Sequence, residues 1–160
     1  MKVYERVLKV ILWLLALDGA IGSVLLLVGG RAVFMQLFPY PPASEWSDLL
    51  LLKQKEWGAL GVALTLMLIS AARDPRRNLV IVRAIAVGLA IEGIAELLSV
   101  WLLGAARLYP VFIAVLHSVT RIGIALILAY LERRLLADQK MELQKTVAHN
   151  TATNPTPLRR

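Results

Sequence analysis

The chain has 160 residues, 58% of them hydrophobic, a formal net charge of +7 and no cysteine. Soluble domains are only roughly 45–50% apolar, and here the excess falls into four runs near the length of a bilayer span. Missing cysteine excludes disulfides, thiol catalysis and thiolate metal sites. The basic residues gather at helix ends rather than along one polar face, which points to lipid headgroups and away from nucleic acid.

The first span is expected over about 7–28, with Gly29 and Gly30 ending it. Its apolar stretch is longer than the roughly 7–15 residues of a signal-peptide core, and no small-x-small cleavage site follows, so an uncleaved helix is expected. The connection to the next span is broken by Pro39, Pro41 and Pro42, and Ser44 and Ser47 can cap a new helix. Its apolar side chains (Phe34, Met35, Leu37, Phe38, Tyr40 and Trp46) place it on the membrane surface. The second span covers 49–72, clearest from Trp57 onward, with Lys53, Lys55 and Glu56 at the interface. Asp74-Pro75 stops it, and Asn78 can cap the third span, 79–103. After a turn over 104–108 the fourth span, 109–131, continues as a polar helix to about Lys145, leaving 146–160 as a disordered cytoplasmic tail. His149 in that tail has no assigned role.

The expected fold is therefore all-α, one four-helix transmembrane bundle over 1–145. Thirteen basic residues fall in the first, third and fifth water-facing segments and four (Arg31, Lys53, Lys55 and Arg107) in the others, which predicts both termini inside. Trp46, Trp57, Trp101 and Tyr109 at the outer interface, with Tyr4 and Tyr130 at the inner one, agree. Small residues four apart mark helix contacts: Gly19 and Ser23, Ala59 and Ala63, Ala84 and Gly88, Ala86 and Ala90, Ala125 and Ala129.

Five ionisable side chains lie within the spans: Asp18, Glu92, Glu96, His117 and Arg121. A charge at the bilayer centre costs ~2.5–3.5 kcal/mol on insertion scales, so these groups are expected to face one another. Glu92 and Glu96 share one face of the third span, as His117 and Arg121 share one face of the fourth. Antiparallel neighbours keep a constant sum of residue numbers. Glu92 with Arg121 and Glu96 with His117 both give 213, which predicts two cross-helix pairs near the midplane. Asp18 reaches a similar depth and is expected to join Arg121 in one buried polar cluster. With three acids ionised and His neutral the cluster carries −2, so it is expected to hold an extra proton. Glu96 and His117 are the candidates for general acid–base work, and Lys53, Glu56 and Trp57 form an outer rim. No phosphate loop, HExxH, Gly-x-Ser-x-Gly or EF-hand pattern occurs, so no cofactor and no metal are expected.

The segment KQKEWGALGVALTLMLISAARDPRRNLVIVRAIAVGLAIE resembles the central part of small four-helix DoxX-like membrane proteins. The matching features are Glu56, Gly58 and Gly61 at the start of the second span and the basic turn from Arg73 to Arg77, about a quarter of the chain. The resemblance implies a role as an accessory subunit of a membrane oxidoreductase. The acid and base pairs of the third and fourth spans are not part of that pattern.

Three functions compete. The first is a non-enzymatic membrane component, an accessory subunit or a small-lipid-binding protein. The second is a proton-coupled carrier working as an oligomer, with Asp18, Glu92 and Glu96 taking up protons. The third is an enzyme using Glu96 and His117 on an apolar substrate, which needs a lipid-wide pocket between the third and fourth spans. The expected surroundings are the cell membrane, with other membrane subunits or a second copy as partners and no nucleic acid.

Overall fold

The computed structural model describes residues 3–37, 47–102 and 110–153, with side chains described over 3–36, 47–102 and 110–147. Among these the regular structure is entirely helical: α1 (Val3–Val28), α2 (Arg31–Leu37), α3 (Asp48–Arg73), α4 (Leu79–Leu102) and α5 (Val111–Thr153). The expected contributions of Phe38 to Trp46, Leu103 to Tyr109 and His149 lie outside the residues or side chains described.

Local chemistry sets the boundaries. The Ser47 hydroxyl caps α3, accepting from the Leu50 amide at 3.2 Å. Proline at 75 disfavours helical backbone at Asp74, and α3 stops at Arg73. The Asp74 carboxylate then accepts from the Arg77 amide at 3.2 Å. The Asn78 amide group donates to the Ser70 and Asp74 carbonyls at 3.1 and 2.9 Å, bracing the turn into α4. Two boundaries differ from expectation. The surface connection begins with the short helix α2, whose Phe34 is 1% exposed and packs beside Gly29. The last helix runs on to Thr153 instead of stopping near Lys145, so residues 146–153 are helical; they extend a helix already formed over 131–145, and no Gly or Pro interrupts the chain over 131–153.

Consecutive long helices pack side by side, giving two close antiparallel pairs, α1 with α3 and α4 with α5, that meet more sparsely through α1–α5 and α3–α4. Glycine sets the closeness of the first pair. A Cβ on Gly58 would lie 2.9 Å from the Leu27 amide nitrogen, and one on Gly61 would strike the Ser23 hydroxyl. Gly19 against Thr65, Ser23 against Gly61 and Gly29 against Lys55 all have residue numbers adding to 84, one unbroken register along the seam. Of the small-residue pairs, Gly19 and Ser23 line this seam, while Ala86 and Ala125 are buried with Ala90 and Ala129 partly so. Ala59 with Ala63 and Ala84 with Gly88 are exposed instead and face away from the bundle, because each lies off the inward stripe of its helix.

The main apolar cluster lies at one end. Leu8, Leu12, Ala71, Val82, Leu128 and Leu135, all fully buried, belong to a single cluster drawn from the four long helices near the chain's N-terminal end. We call this the inner half. Below it an ion-pair clasp joins the elements. Arg76 in the α3–α4 turn meets Glu5 of α1 at 3.0 Å and Glu142 of α5 at 3.1 Å. Gln139 donates to the Arg76 carbonyl at 3.1 Å.

Outward faces stay apolar along the whole length: Leu14, Leu17 and Ile21 on α1, Ile91 and Leu98 on α4, and Leu116, Val119 and Leu126 on α5 are all exposed. A helix that is apolar on its solvent-facing side suits hydrocarbon, not water. Among the described residues, by length and composition three helices can cross a membrane, Val3–Val28, Asp48–Arg73 and the Val111–Val147 part of α5. Three such helices mark a multi-pass membrane protein. α4, the expected third span, has 24 residues and carries Arg83, Glu92 and Glu96.

Candidate functional site: a polar crevice between two helical pairs

Seven residues return an α-helix to within about 20° of the same direction. On α3 the residues Ala71, Leu64 and Trp57 form such a stripe, and their exposure rises from 0% through 46% to 62%. On α5, Leu135 and Leu128 are fully buried, yet the next residue of the stripe, Arg121, has a side chain 34% exposed. On α4, Val82 is fully buried and Leu89 partly so, and the Glu96 side chain is 24% exposed. On α3 and α4, faces that meet at the inner end therefore lie open farther out, whereas the α5 stripe closes again beyond Arg121 at Ala114, 6% exposed. The two helical pairs meet only sparsely, and the outer half of the inward α3 and α4 stripes is exposed; the space these faces border is termed the crevice.

One wall of the crevice is charged. The Arg121 guanidinium donates to the Glu96 carboxylate at 2.6 Å and approaches Glu92 at 3.5 Å. The His117 Nδ1 lies 3.6 Å from the other Glu96 oxygen. The structure thus brings Glu92, Glu96, His117 and Arg121 together across α4 and α5, with Glu96 at the centre. Gly93 makes this approach close: a Cβ there would lie 2.8 Å from Ile122 and 3.0 Å from the Ser118 carbonyl. With the backbones so near, α4 and α5 pack tightly at the level of Gly93.

Two expectations are corrected. The cluster is not a buried centre, since the Glu92 and His117 side chains are 55% and 57% exposed. Nor does Asp18 belong to it; Asp18 is exposed and no ion pair joins it to Arg121. The cause is the parting of the pairs. Tyr4 of α1 packs edge-on to Tyr130 of α5, with centroids 6.5 Å apart, and Ile11 packs on the inner core. Farther out, α1 is drawn to α3 by the glycine seam instead. Asp18 continues the Tyr4–Ile11 stripe by one heptad, yet it is exposed, because α1 and α5 meet only sparsely. Without it the wall holds two carboxylates against one guanidinium and one imidazole.

The expected rim residues play different parts. Lys53 and Glu56 pair with each other at 2.6 Å, both exposed, and neither reaches the charged wall. Trp57 and Leu64 supply an apolar face on the α3 side. Lys55 was passed over as an interfacial charge. Its ammonium donates to the Leu27 and Gly29 carbonyls at 2.5 and 2.7 Å, closing the C-terminal end of α1. The signal was present, because Gly29-Gly30 announces a helix end with free carbonyls. Also missed was Glu132, whose side chain is 6% exposed and accepts two bonds from Arg83, at 2.8 and 2.6 Å. Those residue numbers add to 215, close to the sum that pairs Glu96 with His117, so the same register rule reaches them.

Among the described residues no group of three or more His, Asp or Glu side chains is placed to hold a metal ion. The chain matches no family model, no curated protein and no solved structure.

Proposed function

We propose that this protein is a four-span membrane component, both termini cytoplasmic, that binds a small amphiphile in the crevice between its helical pairs. Several observations support four spans. α4 is about 36 Å long at ~1.5 Å per residue, longer than the ~30 Å hydrocarbon core. It packs antiparallel to α5, and its three ionisable side chains all meet partners on α5. The excess of Lys and Arg at the inner end supports the orientation.

The observation that carries the ligand reading is the change along the α3 and α4 inward stripes, sealed at one end and open at the other. An apolar plug at the inner half and a mixed wall above it do not make a pore. They make a pocket closed at the bottom, with Trp57 and Leu64 for an apolar body and the Arg121–Glu96–His117 wall for a polar head. A carrier would need the inner plug to open as well.

The absence of cysteine makes the test direct. Single substitutions Leu64→Cys, Ala71→Cys and Leu17→Cys compare the crevice, the plug and the lipid-facing surface in proteoliposomes. Leu64→Cys should react with a membrane-impermeant thiol reagent added outside, and a fluorescent single-chain amphiphile should slow the reaction. If Leu64→Cys reacts no faster than the other two, the crevice does not exist in the bilayer. Arg77→Cys, in the same series, should be labelled only after permeabilisation; labelling from outside overturns the orientation.

A further inference from the structure

The basic residues at the inner end are not equivalent. Arg76 is held by Glu5 and Glu142, Arg83 by Glu132, and Arg134 bonds the Tyr130 hydroxyl and stacks over the Tyr4 and Tyr130 rings. Arg73 and Arg77 are exposed, and among the described residues neither guanidinium has an ion-pair partner. Both line one hollow of about 590 Å³ at the α3–α4 turn, together with Ser70, Asn78, Leu66 and Ile69.

The order of these groups along α3 is informative. Leu66, then Ile69 and Ser70, then Arg73 recur at helical spacing on one face, and Arg77 follows from the turn. The hollow is therefore cationic at the end of the helix and becomes apolar toward mid-membrane. Asp74 also lines it, but its carboxylate accepts from the Arg77 amide and is tied into the turn, so the hollow keeps a net positive charge. The Asn78 amide group is committed to two carbonyls, which leaves the two guanidiniums and the Ser70 hydroxyl as donors. A fork of guanidinium groups matches the oxygens of a phosphate. A free phosphate would use only the cationic end, whereas an acyl chain uses Leu66 and Ile69 as well.

We infer that the hollow formed by Ser70, Arg73, Arg77, Leu66 and Ile69 is a binding site for one anionic phospholipid of the inner leaflet. The site is independent of the crevice and of what the crevice binds.

The test is native mass spectrometry of the full chain released from nanodiscs made with phosphatidylglycerol, with phosphatidylcholine of the same acyl chains, or with equal amounts of both. One retained phosphatidylglycerol, in preference to phosphatidylcholine, is the expected result. Removing both charges by Arg73→Ala with Arg77→Ala should weaken retention about thirtyfold, the ~2 kcal/mol expected at ~1 kcal/mol per basic residue near an anionic surface. Arg133→Ala, at an exposed basic residue outside the hollow, should leave retention unchanged. Arg73→Gln with Arg77→Gln keeps side-chain donors without charge and serves if the alanine pair unfolds; it too should lose the lipid. Equal retention of both lipids overturns the proposal, as does full retention by either double variant. Displacement of the lipid by millimolar inorganic phosphate would make this a phosphate site and not a lipid site, and overturns it as well.

Discussion

Glu96→Gln and Arg121→Gln, made singly and together, isolate the contact at the centre of the charged wall. The donor–acceptor distance is 2.6 Å, which puts the charge centres about 4 Å apart, and at an effective dielectric near 20 the gross attraction is ~4 kcal/mol. Exposed pairs retain under about 1 kcal/mol, while breaking a buried pair costs about 3–5 kcal/mol. The Glu96 and Arg121 side chains are 24% and 34% exposed, so the coupling falls between these limits, at ~2 kcal/mol. Glu92 is different: 3.5 Å from Arg121 and 55% exposed, it should couple by less than about 1 kcal/mol. Reversible unfolding in bicelles, followed by steric trapping, measures each variant, and a double-mutant cycle extracts the pair. A Glu96–Arg121 coupling below about 0.5 kcal/mol, or a Glu92 coupling equal to it, would refute the geometry from which these magnitudes come.

The remaining predictions concern the framework. Gly58→Val should lower stability by about 1–3 kcal/mol because the added carbons meet α1 backbone, whereas Gly88→Ala, with nothing within 4 Å, should be neutral or stabilising by up to about 1 kcal/mol; thermal unfolding in detergent compares them. Lys55→Met removes both donations to the α1 carbonyls and should cost about 1–3 kcal/mol, with the loss appearing as faster amide exchange over Leu25 to Gly29. Glu132→Ala leaves the Arg83 guanidinium without its partner and should lower stability, and Arg83→Met made with it should restore part of that loss; no recovery would mean that the pair is not coupled. The Glu5 hydrogen bond holds the Arg76 guanidinium above its usual range. A raised value favours the folded state below the unfolded pKa and is lost only as pH rises through the folded one, so Arg76 should add no slope to stability between about pH 6 and about pH 10. A slope abolished by Arg76→Gln in that window would count against it.

Periodicity and composition carry the helical, membrane-embedded character of this chain, because hydrocarbon leaves a backbone little alternative to the helix and selects apolar side chains over its whole length. Helix ends are legible for the same local reasons: Ser47, Asp74-Pro75 and Gly29-Gly30 act within a few residues of themselves. The facing of Glu92, Glu96, His117 and Arg121 also follows from spacing, since a short turn between antiparallel helices constrains their register. How far the two pairs stand apart does not follow from spacing. Apolar side chains have nearly equal reasons to face lipid or another helix, so nothing in the pattern of Leu, Ile and Val says that the main apolar cluster occupies the inner half. That depends on the glycine seam drawing α1 to α3 and the Tyr4–Tyr130 contact holding α1 to α5 at one end alone. Asp18 is the clearest case, since its depth can be read from its number and its separation from Arg121 cannot. Distances between helices come from the sum of many weak packing contacts, and only the folded arrangement adds them up.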